Sequence, residues 1–370
     1  MGLEGKADLL LRNGRIWAGR GLGVHEALAV ARGRVTAAGR MGDLEALVGP
    51  GTRVVDLRGR LATPGICDAH MHLLPYGLAL GEVNVKTAEV ATLGALQERV
   101  GARARAVEPG AWVIGRGYDQ GRLDVRRHPT RDDLDAVAPH NPVFVKRTCG
   151  HMAVVNSRAL EAAGIGPGTP DPPGGVIFRE GGRPTGLLAE TALDLVSKAI
   201  PPHPREKLAE AIETGGRLCL SQGITSVMDA AVGMTQGWDD LETYRQMRAA
   251  GRLPLRVYLC LTGGTQGIAE RAFGEGAVTG TGDAWLKVGP VKLFLDGGTG
   301  GKTAAMLEPY MGGGQGVLRM TQSDLDAAVA EYHRMGFQLA PHAIGDLAIG
   351  MAVEAMAKAL AAAPGEDRRH

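Results

Sequence analysis

At 370 residues the chain exceeds the usual size of one domain, so a large domain with a smaller appendage is expected. Hydrophobic residues make up 44% and charged residues 22%, a globular balance, and no run approaches the ~18 uninterrupted apolar residues of a membrane span. Lys plus Arg number 41 against 40 Asp plus Glu, which excludes the basic surplus of a nucleic-acid or membrane-surface binder.

Four cysteines (Cys67, Cys149, Cys219, Cys260) are scattered with no C-x-x-C pair, the usage of a reduced, cytoplasmic protein. The opening MGLEGKADLL lacks the apolar core of a signal peptide, and Lys6 stands where a myristoylation signal has Ser or Thr. The 56 glycines are about twice the usual share of roughly 7%, which fits many tight turns between short elements.

Residues 1–62 read as a small β layer. DLLLRNGRIWAG carries Asn13-Gly14 between apolar runs, a hairpin signal, and HEALAVARGRVTAAG repeats the form with Arg32-Gly33 at its tip. Residues 63–370 change rhythm. GICDAHMHL, ITSVMDA, LRVYLCL, PVKLFLDG and FQLAPHA are five apolar strand candidates, and amphipathic helices separate the later ones. PREKLAEAIETGGRLCLSQG places Leu208, Ile212 and Leu218 near one face and stops at Gly223; DDLETYRQMRAAG stops at Gly251. Ser323 opens SDLDAAVAEYHRMG with a Ser-x-x-Asp box, turning Leu325, Val329 and Tyr332 inward, and Pro364-Gly365 stops the last helix. Such alternation predicts parallel βαβ units, in an open sheet or a (β/α)₈ barrel, with an inserted segment at about 80–200 after the first strand.

His70 and His72 end the first apolar strand. On a strand they share a face about 6.6 Å apart, close enough to converge on one ion; the alternative is a pair of partly buried polar side chains. His342 ends the fifth strand in the same way, where a hydrogen-bonded structural histidine is the competing reading. Lys292 interrupts an apolar strand, and lysine is rarely buried unpaired. Either Asp296, an even number of positions on, is its partner, or its pKa is depressed and CO₂ can carboxylate it to an oxygen ligand. DGGTGGKTAAM fails the phosphate-loop pattern, because Asp296 stands where the first glycine belongs, and reads as a flexible active-site loop. Strand alternation puts Cys67 opposite Asp68, His70 and His72, as a small buried filler.

Taken in order, TPGICDAHMHL, GYDQGRLDVRRHPTRDDLDAVAPHNPVFVKRTCGHMAVVNSRAL, QGITSVMDA, VKLFLDGGTGGKTA and HAIGD resemble amidohydrolase family 3 of the amidohydrolase superfamily, which includes N-substituted formamide deformylases. The resemblance implies a metal-binding (β/α)₈ barrel with a β-sandwich built from both chain ends. It implies His70, His72, Lys292 (carboxylated in many relatives) and His342 as ligands of one or two divalent ions, usually zinc, and His151 as a substrate-facing residue. The implied reaction is hydrolysis of non-peptide C–N bonds, in small amides or cyclic amides, by a metal-activated water. Relatives carry a further histidine after strand six and a proton-shuttling aspartate after strand eight; this chain reaches GEDRRH before either, so about five of eight strands and no general base are expected in it. That pattern leaves two expectations: a truncated, weakly active or inactive enzyme, or a non-catalytic remnant or scaffold that needs a partner chain. Homo-oligomerisation is left open.

Overall fold

The computed structural model describes residues 5–86, 88–299, 302–365 and 368–370. Two compact units divide it, Met1–Asp68 with Gln222–Ser226, and Ala69–Ser221 with Val227–His370.

In the first unit, the four-stranded sheet has the order Arg34–Gly39, Ala27–Ala31, Leu9–Arg12, Arg53–Asp56. Its hairpin turns at Arg32-Gly33, where φ is +52° and +71°, the double positive φ that a two-residue turn of the right twist needs. The Asn13-Gly14 hairpin does not form. Leu9–Arg12 pairs with Ala27–Ala31 and Arg53–Asp56, whereas Arg15–Trp17 joins Val24–His25 and Leu61–Ala62 in a separate three-stranded sheet. Only Asn13 takes a positive φ there, and a Cβ on Gly14 would overlap the Leu57 side chain. Gly14 therefore serves close packing at a change of sheet, which two apolar runs flanking Asn-Gly cannot reveal. Leu10, Ala27, Ala29, Leu44 and Leu47 form the small core.

The second unit holds a six-stranded sheet in the order Gly175–Glu180, Arg183–Glu190, Met152–Val155, Val143–Arg147, Val113–Tyr118, Val83–Asn84. Buried Asn156 locks it, accepting from the Val143 and Ala159 amides and donating to the Ala138 and Asn141 carbonyls, so that its amide is fully satisfied.

The five strand candidates all form, as β1 (Ile66–Met71), β2 (Ile224–Val232), β3 (Arg256–Thr262), β4 (Leu286–Phe294) and β5 (Leu339–His342). They lie side by side in chain order; β3, β4 and β5 are parallel, with Thr262 opposite Lys292 and Phe294 opposite His342. This is a curled, incomplete barrel sheet. Its helices are α1 (Leu73–Leu80), α2 (Arg205–Ser221), α3 (Trp238–Ala249), α4 (Gln322–Met335) and α5 (Asp346–Ala362). α1 lies so close on α2 that a Cβ on Gly77 would overlap the Ala211 carbonyl. Leu325, Val329 and Tyr332 are buried as their spacing requires. No helix among the described residues is long and apolar enough to cross a membrane.

Two local expectations are corrected. Cys67 is exposed, because β1 forms the edge of its sheet, where four of its six residues are exposed and the other two only partly covered. The cap of α4 is Thr321, whose Oγ1 accepts from the Asp324 amide while the Asp324 carboxylate accepts from the Thr321 amide; Ser323 already lies inside the helix. Thr321→Ala is expected to cost about 1 kcal/mol of unfolding free energy, against less than about 0.5 for exposed Ser323→Ala. Urea unfolding of the two variants checks this; equal effects would contradict the assignment.

Candidate metal centre

β1 ends at Met71, so the histidine pair straddles a change of backbone: His70 is in the strand and His72 is the N-cap residue of α1, with φ −115° and ψ 83°. The rings nevertheless meet edge-on, centroids 5.7 Å apart at 88°. His72 Nδ1 is buried with no hydrogen-bond partner among the described residues. Burial, and after it the charges of His70 and Lys292, hold the His72 imidazole below its ordinary 6.5, so that it stands neutral with a lone pair available.

Lys292 is 3% exposed in the middle of β4. Asp296 is not its partner. Strand alternation lapses after Phe294, and the Asp296 carboxylate accepts instead from the Ala305, Ile344 and Gly345 amides. Among the described residues Lys292 makes no ion pair; its Nζ lies 5.2 Å from the centroid of the Phe294 ring. Burial pushes the ammonium below its ordinary 10.5, with Cys260 opposing. Cys260 offers no counter-charge, because burial lifts its thiol up to about 12. A buried amine that gives up its proton easily is the form that reacts with CO₂.

His342 closes β5, its ring 5.8 Å from that of Phe294. Its Nε2 lies 2.9 Å from the Gly297 carbonyl and 3.6 Å from Asp296 Oδ1. Phe294 thus touches both Lys292 and His342. Among the described residues no three His, Cys, Asp or Glu side chains converge closely enough to hold a metal; the links run from His70 to His72 by their rings, from His72 to Lys292 by charge, and from Phe294 to both Lys292 and His342. His151 immediately precedes the strand Met152–Val155 of the six-stranded sheet, and its Nδ1 lies 3.1 Å from Glu190 Oε2. The loop after Asp296 includes Gly300 and Gly301, so its reading as a flexible segment lies outside the described residues.

Sequence reasoning missed Asp229. It sits in β2, 1% exposed, accepting from the Tyr244 hydroxyl at 2.6 Å and from the Leu74 amide at 3.2 Å, two residues past His72. A carboxylate inside the apolar run ITSVMDA was the available signal.

The buried Nδ1 lone pair of His72, without a partner among the described residues, is a donor of the kind a divalent cation takes, and Lys292 would suit such an ion only as an anionic carbamate.

The chain matches the model of the amidohydrolase family over residues 53–370. It is 31% identical to the protein LONG AFTER FAR-RED 3 of Arabidopsis thaliana, covering 98% of this chain and 63% of the plant protein. It is 29% identical to the N-substituted formamide deformylase of Arthrobacter pascens, over 89% of this chain and 62% of that enzyme. An uncharacterized metal-dependent hydrolase from Pyrococcus horikoshii superposes with a TM-score of 0.79 at 27% identity, over 95% of this chain and 68% of that one. The chain therefore spans less than two thirds of the length of these curated relatives. With the family match running through the barrel sheet and every strand that carries the histidines and Lys292, this chain belongs to the amidohydrolase family.

Proposed function

We propose that the chain belongs to a metal-dependent hydrolase acting on non-peptide C–N bonds of small amides or cyclic amides. The observation that carries this reading is the buried Nδ1 of His72, without a partner among the described residues, near a buried lysine that makes no ion pair among them. His70, His72, His342 and Lys292 in its carboxylated form would hold the ion, one or two of them, with zinc the leading candidate. When bound, such an ion makes a water acidic near neutral pH and polarises the scissile carbonyl.

The chain's own groups prepare that chemistry. The Lys292 ammonium, whose proton burial makes easier to lose, first releases one proton; the neutral Nζ then attacks CO₂ and releases a second, leaving a carbamate anion. His72 stays neutral because it is desolvated, and the Phe294 ring keeps water from one side of Lys292 and His342. Hydrolysis also needs a carboxylate to move a proton from water to the leaving nitrogen; no residue of this chain is assigned that role. His151, held by Glu190, is proposed to face the substrate. Free thiols at all four cysteines fit a reducing, cytoplasmic setting.

The full 370-residue chain, stripped with chelator and titrated with Zn²⁺, is expected to take up one to two equivalents, and His72→Ala to weaken the uptake by at least about tenfold. N-substituted formamides form the first substrate panel, after the Arthrobacter relative. Failure to retain any divalent ion would overturn the reading.

A further inference from the structure

Asp296 lies two residues beyond β4 and is 1% exposed. A carboxylate so deeply buried must be paired or well hydrogen-bonded. It accepts from the Ala305 amide at 3.0 Å, from Ile344 at 3.1 Å and from Gly345 at 2.7 Å, tying the segment after β4 to the segment after β5. The two segments meet so tightly that a Cβ on Gly345 would overlap the Ala305 backbone. The tie leaves little freedom for what stands beside it, and that is His342.

His342 Nε2 lies 3.6 Å from Asp296 Oδ1 and 2.9 Å from the carbonyl of the next residue, Gly297. A carbonyl oxygen only accepts, so Nε2 carries the ring proton and Nδ1 keeps the lone pair. The carboxylate charge beside Nε2 favours that proton position. On the other side the ring rests 5.8 Å from Phe294, the residue that also meets Lys292.

We propose that Asp296 is the positioning residue for His342: anchored on three backbone amides from two segments, its carboxylate fixes the imidazole as the Nε2–H tautomer and presents Nδ1 as the donor atom. In its metal arm this inference rests on the proposed role of His342; in its tautomer arm it does not. The competing account is a staple that joins two loops and leaves the ring alone.

Two measurements on the full chain separate these accounts. In metal-free, ¹⁵N-histidine-labelled protein at pH 8, with the His342 signals assigned from His342→Gln, the proposal expects a single Nε2–H tautomer. A ring averaged between tautomers, or protonated at Nδ1, overturns it, and this needs no Asp296 variant to fold. The second is zinc affinity by chelator competition in wild type, Asp296→Asn, His342→Gln and the double variant. Asp296→Asn is expected to weaken zinc about 10–100-fold when His342 is present and less than about threefold when it is not. Equal loss in both backgrounds means a staple only and refutes the proposal. If wild type takes up no zinc, the functional reading fails, while the His342 tautomer compared between wild type and Asp296→Asn still decides the case of Asp296: loss of the single Nε2–H tautomer in the variant supports it, and an unchanged tautomer refutes it.

Discussion

Replacing Lys292 with methionine is expected to stabilise the metal-free protein and to destroy the proposed divalent-ion site in the same step. The lysine is 3% exposed and has no ion pair among the described residues, so the fold carries a buried amine against its own stability. Methionine keeps the length and flexibility of the side chain and has no polar head to desolvate. Removing an unsatisfied buried polar group is worth about 1–3 kcal/mol, a rise of a few degrees in melting temperature in chelator. Zinc affinity should fall at least about a hundredfold, because the only oxygen donor proposed for the site has gone. A gain in stability with a loss of function marks a residue kept for chemistry. If the methionine variant binds zinc as tightly as wild type, Lys292 is a packing residue and the carbamate idea is wrong.

Asp229 is expected to make stability fall as pH rises from 4 to 7. Burial lifts its carboxyl from 3.8 up to about 6, against the hydrogen bonds from Tyr244 and Leu74. The folded chain therefore holds a proton in a range where the unfolded chain has already released it. The stability drawn from that proton is fully present below about pH 4 and is lost as pH rises through about 6. At about 1.4 kcal/mol per pKa unit the swing is about 3 kcal/mol. Urea unfolding of wild type and Asp229→Asn at half-unit steps isolates it, since the asparagine accepts the Tyr244 and Leu74 hydrogen bonds without titrating. The difference between the two curves should slope against wild type above pH 4; a flat difference would show that Asp229 is ionised or solvated throughout. Because the Leu74 amide it holds follows His72 by two residues, ionisation there also loads the start of α1.

Much of the barrel sheet was legible without coordinates. An apolar strand bounded by Gly turns, or an amphipathic helix ended by Gly251 or Pro364, is specified by residues within one or two turns of one another, and these signals survive whatever the rest of the chain does. The histidines and Lys292 stood out for the same reason: each is a polar residue in an otherwise apolar run.

What failed was of another kind. Asn13-Gly14 has the composition of a hairpin, yet whether its flanking strands pair depends on Ala27–Ala31, Arg53–Asp56 and Leu61–Ala62, up to about fifty positions away. Cys67 was placed by alternation alone, and alternation does not say that β1 stands at a sheet edge. Ser323 and Thr321 both precede an acidic residue at cap spacing or near it, and only the backbone angle of Thr321, extended at ψ 164°, selects between them.

The amino-acid sequence by itself determined the five barrel strands, the helices between them and the family, and it singled out the polar residues proposed to bind a cation, because periodicity and side-chain chemistry are local properties. Tertiary structure alone decided the partners: Asp296 to three amides and His342 and not to Lys292, Asp229 to Tyr244 and the first turn after His72, and Lys292 to a buried position with no ion pair among the described residues. Burial removes water from a charged group and makes it bind whatever the fold brings near, and which groups come near is set by contacts between distant parts of the chain.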